Sequence, residues 1–126
     1  MKILLLVHIV ILLVYGCGLA PTVDEVEEFI PGTYIRYSQH EFGVEYDTLV
    51  ISLQNESALE YKILRKWKYE RILDNQKIAP EYKRSFTSGF YNINDQVLRE
   101  NAAGDIYSFD VKQRILFNGP VKYKKL

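Results

Sequence analysis

The sequence predicts an all-β domain: an antiparallel meander that closes into a small barrel of about eight strands, behind a signal peptide. Three observations carry this. Short runs of alternating apolar and polar residues recur at spacings of about 8–12 residues with turn residues between them, the rhythm of sandwiches and barrels. Nine of the ten tyrosines and all six phenylalanines lie beyond residue 17, and such residues suit pleated surfaces. Pro21, Pro31, Pro80 and Pro120 all fall at proposed strand boundaries, where a missing N–H costs little. With few helix candidates, the sheet has to bury one face against itself. Curling into a barrel does that and removes exposed edges.

Residues 1–16 read as an address. Met1-Lys2 is a short positive start, and Ile3 to Val14 is a twelve-residue apolar run interrupted only by His8. A helix of that length reaches about 18 Å at about 1.5 Å per residue, short of the roughly 30 Å of hydrocarbon that a spanning helix crosses. This is the core of a secretory signal, not a transmembrane anchor. Val14-Tyr15-Gly16-Cys17 resembles the lipobox of bacterial lipoproteins. The resemblance implies that Cys17 becomes the mature N-terminus, carries diacylglycerol on sulfur and is acylated on nitrogen, as with palmitate. Two or more chains anchor stably where one binds only marginally, at about 0.8 kcal/mol per buried methylene. The competing reading is an ordinary signal cut near Gly16 or Ala20, with Cys17 incidental.

Residues 17–30 follow as a lipidated Cys and an acidic tether. Asp24, Glu25, Glu27 and Glu28 alternate with Val23, Val26 and Phe29. Gly18 to Glu28, fully extended, spans at most about 36–40 Å. A solvated spacer is the favoured reading. A surface-export signal and a one-turn helix, suggested by valines three apart, are the others.

Residues 31–126 form the β-domain. Thr33 to Ser38 alternates Ile35 and Tyr37 against Tyr34 and Arg36. Tyr46 to Leu53 places Leu49, Ile51 and Leu53 on one face, and Gln54 to Ser57 turns. Leu59 to Leu73 shows period-two order with swaps at Leu64 and Ile72. It reads as two strands joined at a kink or one long bent strand, with a helix carrying Leu59, Ile63 and Trp67 as the rival. Asp74 to Lys77 turns. Tyr82 to Phe86 and Phe90 to Asn92 read as two strands, followed by Gln96 to Glu100, Asp105 to Asp110, Arg114 to Phe117 and Val121 to Leu126.

Composition narrows the chemistry. The 126 residues carry 16 basic and 16 acidic side chains, so the formal net charge is zero. Without a dense basic run this argues against a nucleic-acid partner, whose binding depends on phosphate neutralisation. A single Cys excludes an internal disulfide framework and a multi-Cys metal site, and two His make a His-ligated metal a poor reading. The expectation is no metal and no cofactor. The mature chain offers only His40 as a base, in what reads as a surface turn, and the carboxylates are scattered. No catalytic residue is assigned and the chain is read as not an enzyme.

One constellation stands out. Arg65, Trp67, Tyr69 and Arg71 share one face of a strand, where guanidiniums beside aromatics could form a cation–π ladder. Facing inward they would make a polar-aromatic pocket for an anionic or sugar-like ligand. Facing outward they would make a patch of the kind enriched at protein interfaces. Otherwise Trp67 and Tyr69 are core and the Arg heads reach to the rim.

Residues 31–126 resemble the small lipocalin-like lipoproteins of Bacteroidetes. The likeness rests on Pro31-Gly32-Thr33-Tyr34, Asp47 to Ile51, Tyr61-Lys62-Ile63, Gly104 to Phe109 and Gly119 to Tyr123. It implies an antiparallel barrel of about eight strands and carries over no ligand or catalytic residue. The expected function is a lipid-anchored protein of the cell envelope, with the outer membrane favoured, held to the membrane by its anchor. It would have a protein partner and a structural or interaction role, for example as an accessory lipoprotein of a larger envelope assembly. Binding of a small hydrophobic or anionic ligand is the alternative.

Overall fold

The computed structural model describes residues 23–73 and 76–126. The expected signal, Cys17 and the start of the expected tether lie outside them. The elements are α1 (Val23–Phe29), β1 (Gly32–His40), β2 (Gly43–Asn55), β3 (Glu60–Leu73), β4 (Gln76–Lys77), β5 (Glu81–Asn92), β6 (Val97–Glu100), β7 (Ile106–Asp110), β8 (Ile115–Asn118) and β9 (Val121–Lys125).

Sequential antiparallel hairpins lead from β1 through β2, β3 and β5 on to β9, and pairing of β1 with β9 closes an eight-stranded barrel. The two-residue β4 is appended to β3. The barrel and its meander order are those expected. Alternation builds the core: Tyr34, Leu49, Ile51, Ile63, Leu98 and Leu116 are each at most 2 % exposed. Buried Tyr61, Tyr91, Tyr107 and Tyr123 fill the remaining interior.

Three local readings differ. Residues 23–30 are not a solvated spacer: Val23–Phe29 is helical, and Val26, Phe29 and Ile30 are buried in the core. Their i, i+3, i+4 spacing makes one apolar stripe, and packing sustains a helix too short to stand alone. The Tyr34 hydroxyl lies 2.7 and 2.9 Å from the carbonyl oxygens of Phe29 and Ile30 and donates to them at the helix end. The Lys125 ammonium also donates to the Phe29 carbonyl.

Tyr82–Phe86 and Phe90–Asn92 are one strand, β5, in unbroken register with β3. Gly89 looks like a break but is a close approach. A Cβ there would sit 2.6 Å from the Arg99 carbonyl oxygen, so its lack of a side chain lets β6 fold tightly against β5. The third difference is Gln76–Lys77, read as turn, which forms a short ladder with Ile72 and Leu73.

Strand lengths are unequal. β2, β3 and β5 run 13, 14 and 12 residues, whereas β6 to β9 have only four or five. The long strands therefore project past the closed barrel as a four-stranded sheet. On its borders, Arg36–His40 of β1 and Glu81–Thr87 of β5 have a strand neighbour on one side only, among the described residues. Closure does not abolish every edge here.

Candidate functional site

The inner face of β3 carries Tyr61, Ile63, Arg65, Trp67, Tyr69 and Arg71 at two-residue spacing. Tyr61 and Ile63 belong to the filled barrel. Arg65 stands at its rim, and the other three line the projecting sheet.

A polar layer seals the rim. Asp47 is 1 % exposed and accepts a forked pair of hydrogen bonds from Arg65, from Nε at 2.9 Å and Nη2 at 2.6 Å. The Tyr123 hydroxyl donates to the same carboxylate at 2.8 Å. Hydrogen bonding to Asp47 holds the Arg65 guanidinium more firmly protonated than usual. Burial, then the Asp47 carboxylate, pushes the Tyr123 hydroxyl up. A buried charge is tolerated here because three donors satisfy it.

Beyond that layer lies an aromatic pile. Trp67 stacks on Tyr69 with centroids 5.7 Å apart and planes at 16°, and Tyr69 stacks on His40 at 5.9 Å and 18°. The Trp67 indole donates to Glu45 at 2.6 Å, and the Tyr69 hydroxyl donates to the Phe42 carbonyl at 3.1 Å. Gly43 makes the space: a Cβ on it would fall 2.6 Å from the Tyr69 ring.

The expected ladder of two guanidiniums and two rings is not formed. The cation on Trp67 is Lys83, whose ammonium lies 5.0 Å from the ring centre. Arg65 turns to Asp47, and Arg71 pairs with Glu81 at 3.7 Å. Coulombic attraction to carboxylates in reach outweighs the weaker pull of a ring face.

A cleft of about 530 Å³ opens beside the pile, lined by Arg65, Trp67, Lys83, Arg84 and Ser85. Arg65 and Trp67 therefore meet in one site, while Tyr69 supports Trp67 from behind and Arg71 lies outside the lining. Farther along β5 a second trough of about 660 Å³ includes Lys62, Phe86, Thr87 and Asn101 in its wall. On the outer face, pairing aligns Tyr37, Tyr46, Lys68 and Tyr82 in one row across four strands. Tyr82 is 70 % and Tyr37 58 % exposed.

Sequence reasoning missed Lys83, Arg84 and Ser85 as wall residues, and Asp47 with Tyr123 as the seal. The signal for Asp47 was present: it shares the core-facing parity of Leu49 and Ile51. No protein-family model matches the chain, no curated protein is significantly similar in sequence, and no solved structure is significantly similar in fold.

Proposed function

We propose that this protein is a non-enzymatic, lipid-anchored binding module of the cell envelope, moored through Cys17, whose projecting sheet docks a protein partner. The observation that supports this most is the division of the barrel. One half is packed with buried side chains. The other half holds open strand edges, an aromatic-cationic outer row and a cleft on the inside. Aromatic and Arg-rich surface is what partner recognition uses, and free edges accept strands. The lipocalin-like lipoproteins that the sequence resembles fit this architecture and impose no ligand.

Two measurements test the reading. Metabolic labelling with palmitate should mark the wild type and fail on Cys17→Ala; labelling that persists removes the anchor. A photo-crosslinking residue placed at Tyr82 should trap a discrete partner in envelope fractions, whereas one at the exposed Lys112, in the turn after β7, should not. Equal trapping at both positions would refute a docking face on the projecting sheet.

The cleft itself favours a second reading, a small anionic ligand. Its volume lies within the usual range of about 300–1,000 Å³, and Lys83 and Arg84 supply cations beside the Trp67 ring. Trp67 is the only tryptophan of the chain, so its fluorescence reports occupancy directly.

A further inference from the structure

Building on the reading of a binding module, we propose that the free edge of β5 takes up an extended acidic peptide as an added strand, over Tyr82–Phe86. The backbone defines the docking groups. The Ser88 carbonyl accepts from the Asn101 N–H at 2.9 Å on the β6 side, while the Tyr91 N–H donates to the Leu59 carbonyl at 2.9 Å on the other. Successive residues of a strand point their N–H and C=O to alternate sides. The register between β3 and β5 is unbroken from Glu60↔Phe90 to Tyr69↔Glu81. Parity therefore aims the N–H and C=O of Tyr82, Arg84 and Phe86 away from β3, into the space that β6 vacates by ending at Glu100. Among the described residues no strand pairs there.

Natural edges are blunted by brevity, proline, bulges or inward-facing charge. This one has neither proline nor bulge in its span. It does carry cations, and these select the partner. The rows from Lys68↔Tyr82 to Ile63↔Thr87 hold Arg65, Lys66, Lys68, Lys83 and Arg84 and no acid. Lys68 and Arg65 are answered by Glu70 and Asp47, which leaves Lys66, Lys83 and Arg84 without an ion pair among the described residues. The two troughs flank consecutive stretches of this edge, one walled by Lys83, Arg84 and Ser85, the other by Phe86, Thr87 and Ser88. A second copy is the poorer occupant. Two-fold antiparallel pairing centred on Arg84 would set Arg84 against Arg84, and like charges directly opposite are destabilising. An acidic segment removes that conflict, because carboxylates at alternate positions meet Arg84 and the neighbouring Lys66 on one face.

The test uses the full chain in detergent and a fluorescein-labelled nine-residue peptide of alternating glutamate and threonine. Its counterparts carry lysine for glutamate, or N-methyl groups on alternate amides. The glutamate peptide should bind at least tenfold more tightly than either. On saturation the amide protons of Tyr82, Arg84 and Phe86 should exchange at least tenfold more slowly. Arg84→Pro should abolish binding while the ladder to β3 survives, because the lost N–H faces outward. If that variant unfolds, Lys83→Glu with Arg84→Glu replaces it and should invert the preference toward the lysine peptide. Equal binding of the N-methylated peptide, or unchanged amide exchange, overturns strand addition in favour of charge attraction alone. Binding of phosphatidylglycerol vesicles with no binding of the glutamate peptide overturns it as well. A peptide that fails while crosslinking at Tyr82 still traps a protein sinks the acidic strand and leaves the binding module standing; failure of both sinks both.

Discussion

Phenylalanine substituted at Tyr34, Tyr91 and Tyr123 deletes one hydroxyl at three buried positions, at 0 %, 4 % and 3 % exposure, without changing ring volume. Cavity and transfer contributions are thus nearly constant, and the series isolates the hydrogen bond. Tyr123 donates to a carboxylate, and bonds to charged groups are worth about 1.5–3 kcal/mol. Tyr123→Phe should cost about 2 kcal/mol. Tyr34 donates to neutral carbonyls, one of which, that of Phe29, Lys125 also serves, so Tyr34→Phe should cost about 1 kcal/mol. The Tyr91 hydroxyl is buried, and no group among the described residues reaches it. Removing an unsatisfied polar group should be neutral or stabilising by up to about 1 kcal/mol. Urea unfolding at pH 7 followed by far-ultraviolet circular dichroism gives the three differences, provided the slopes agree. A loss at Tyr91→Phe equal to that at Tyr123→Phe would refute the reasoning.

Other substitutions probe the seal and the site. Arg65→Met strands a carboxylate at 1 % exposure and should cost about 3 kcal/mol, more than Asp47→Asn, because water reaches the half-exposed guanidinium left behind; chemical denaturation of both decides the order. Glu100 is pushed up by burial but held below the usual carboxylate range by bonds from Thr87 and the Ala102 and Ala103 N–H groups. Its contribution should therefore be full above its unfolded value of about 4.3 and fade as pH falls through the lower folded value, so wild type and Glu100→Gln should converge in acid. A methyl group at Gly43 meets the Glu70 carbonyl at 2.5 Å and the Tyr69 ring at 2.6 Å. Gly43→Ala should cost about 1–3 kcal/mol and weaken the near-ultraviolet dichroism of the Trp67 stack.

Much of the fold was legible because strand alternation is a local property. Period-two order in Tyr46–Leu53 and Leu59–Leu73 already separates the inner from the outer face, and Asn118-Gly119-Pro120 marks a turn. The acidic helix was harder to read. Its charges speak for solvent, and only the partners of Val26, Phe29 and Ile30, far away in sequence, say that its apolar stripe is core. The site was legible in one strand only. Sequence spacing shows that Arg65, Trp67, Tyr69 and Arg71 share a face, but which carboxylate claims each guanidinium depends on cross-strand register. Lys83 and Asp47 reach the same row as Trp67 through pairings that no single strand encodes.

The mismatch in strand length connects this architecture to its proposed work. A barrel whose strands were all as short as β7 would have no open border, and one whose strands were all as long as β3 would pair them along their length. Four long strands beside four short ones force a border to remain open wherever a long strand meets a short one, at β1 against β9 and at β5 against β6. Such borders invite aggregation unless charge or a partner occupies them. Over Tyr82–Phe86 of β5 the charge present is of one sign. That repels a second copy and leaves an acidic strand as the complement, so the feature that guards the isolated protein is also the one that selects its partner.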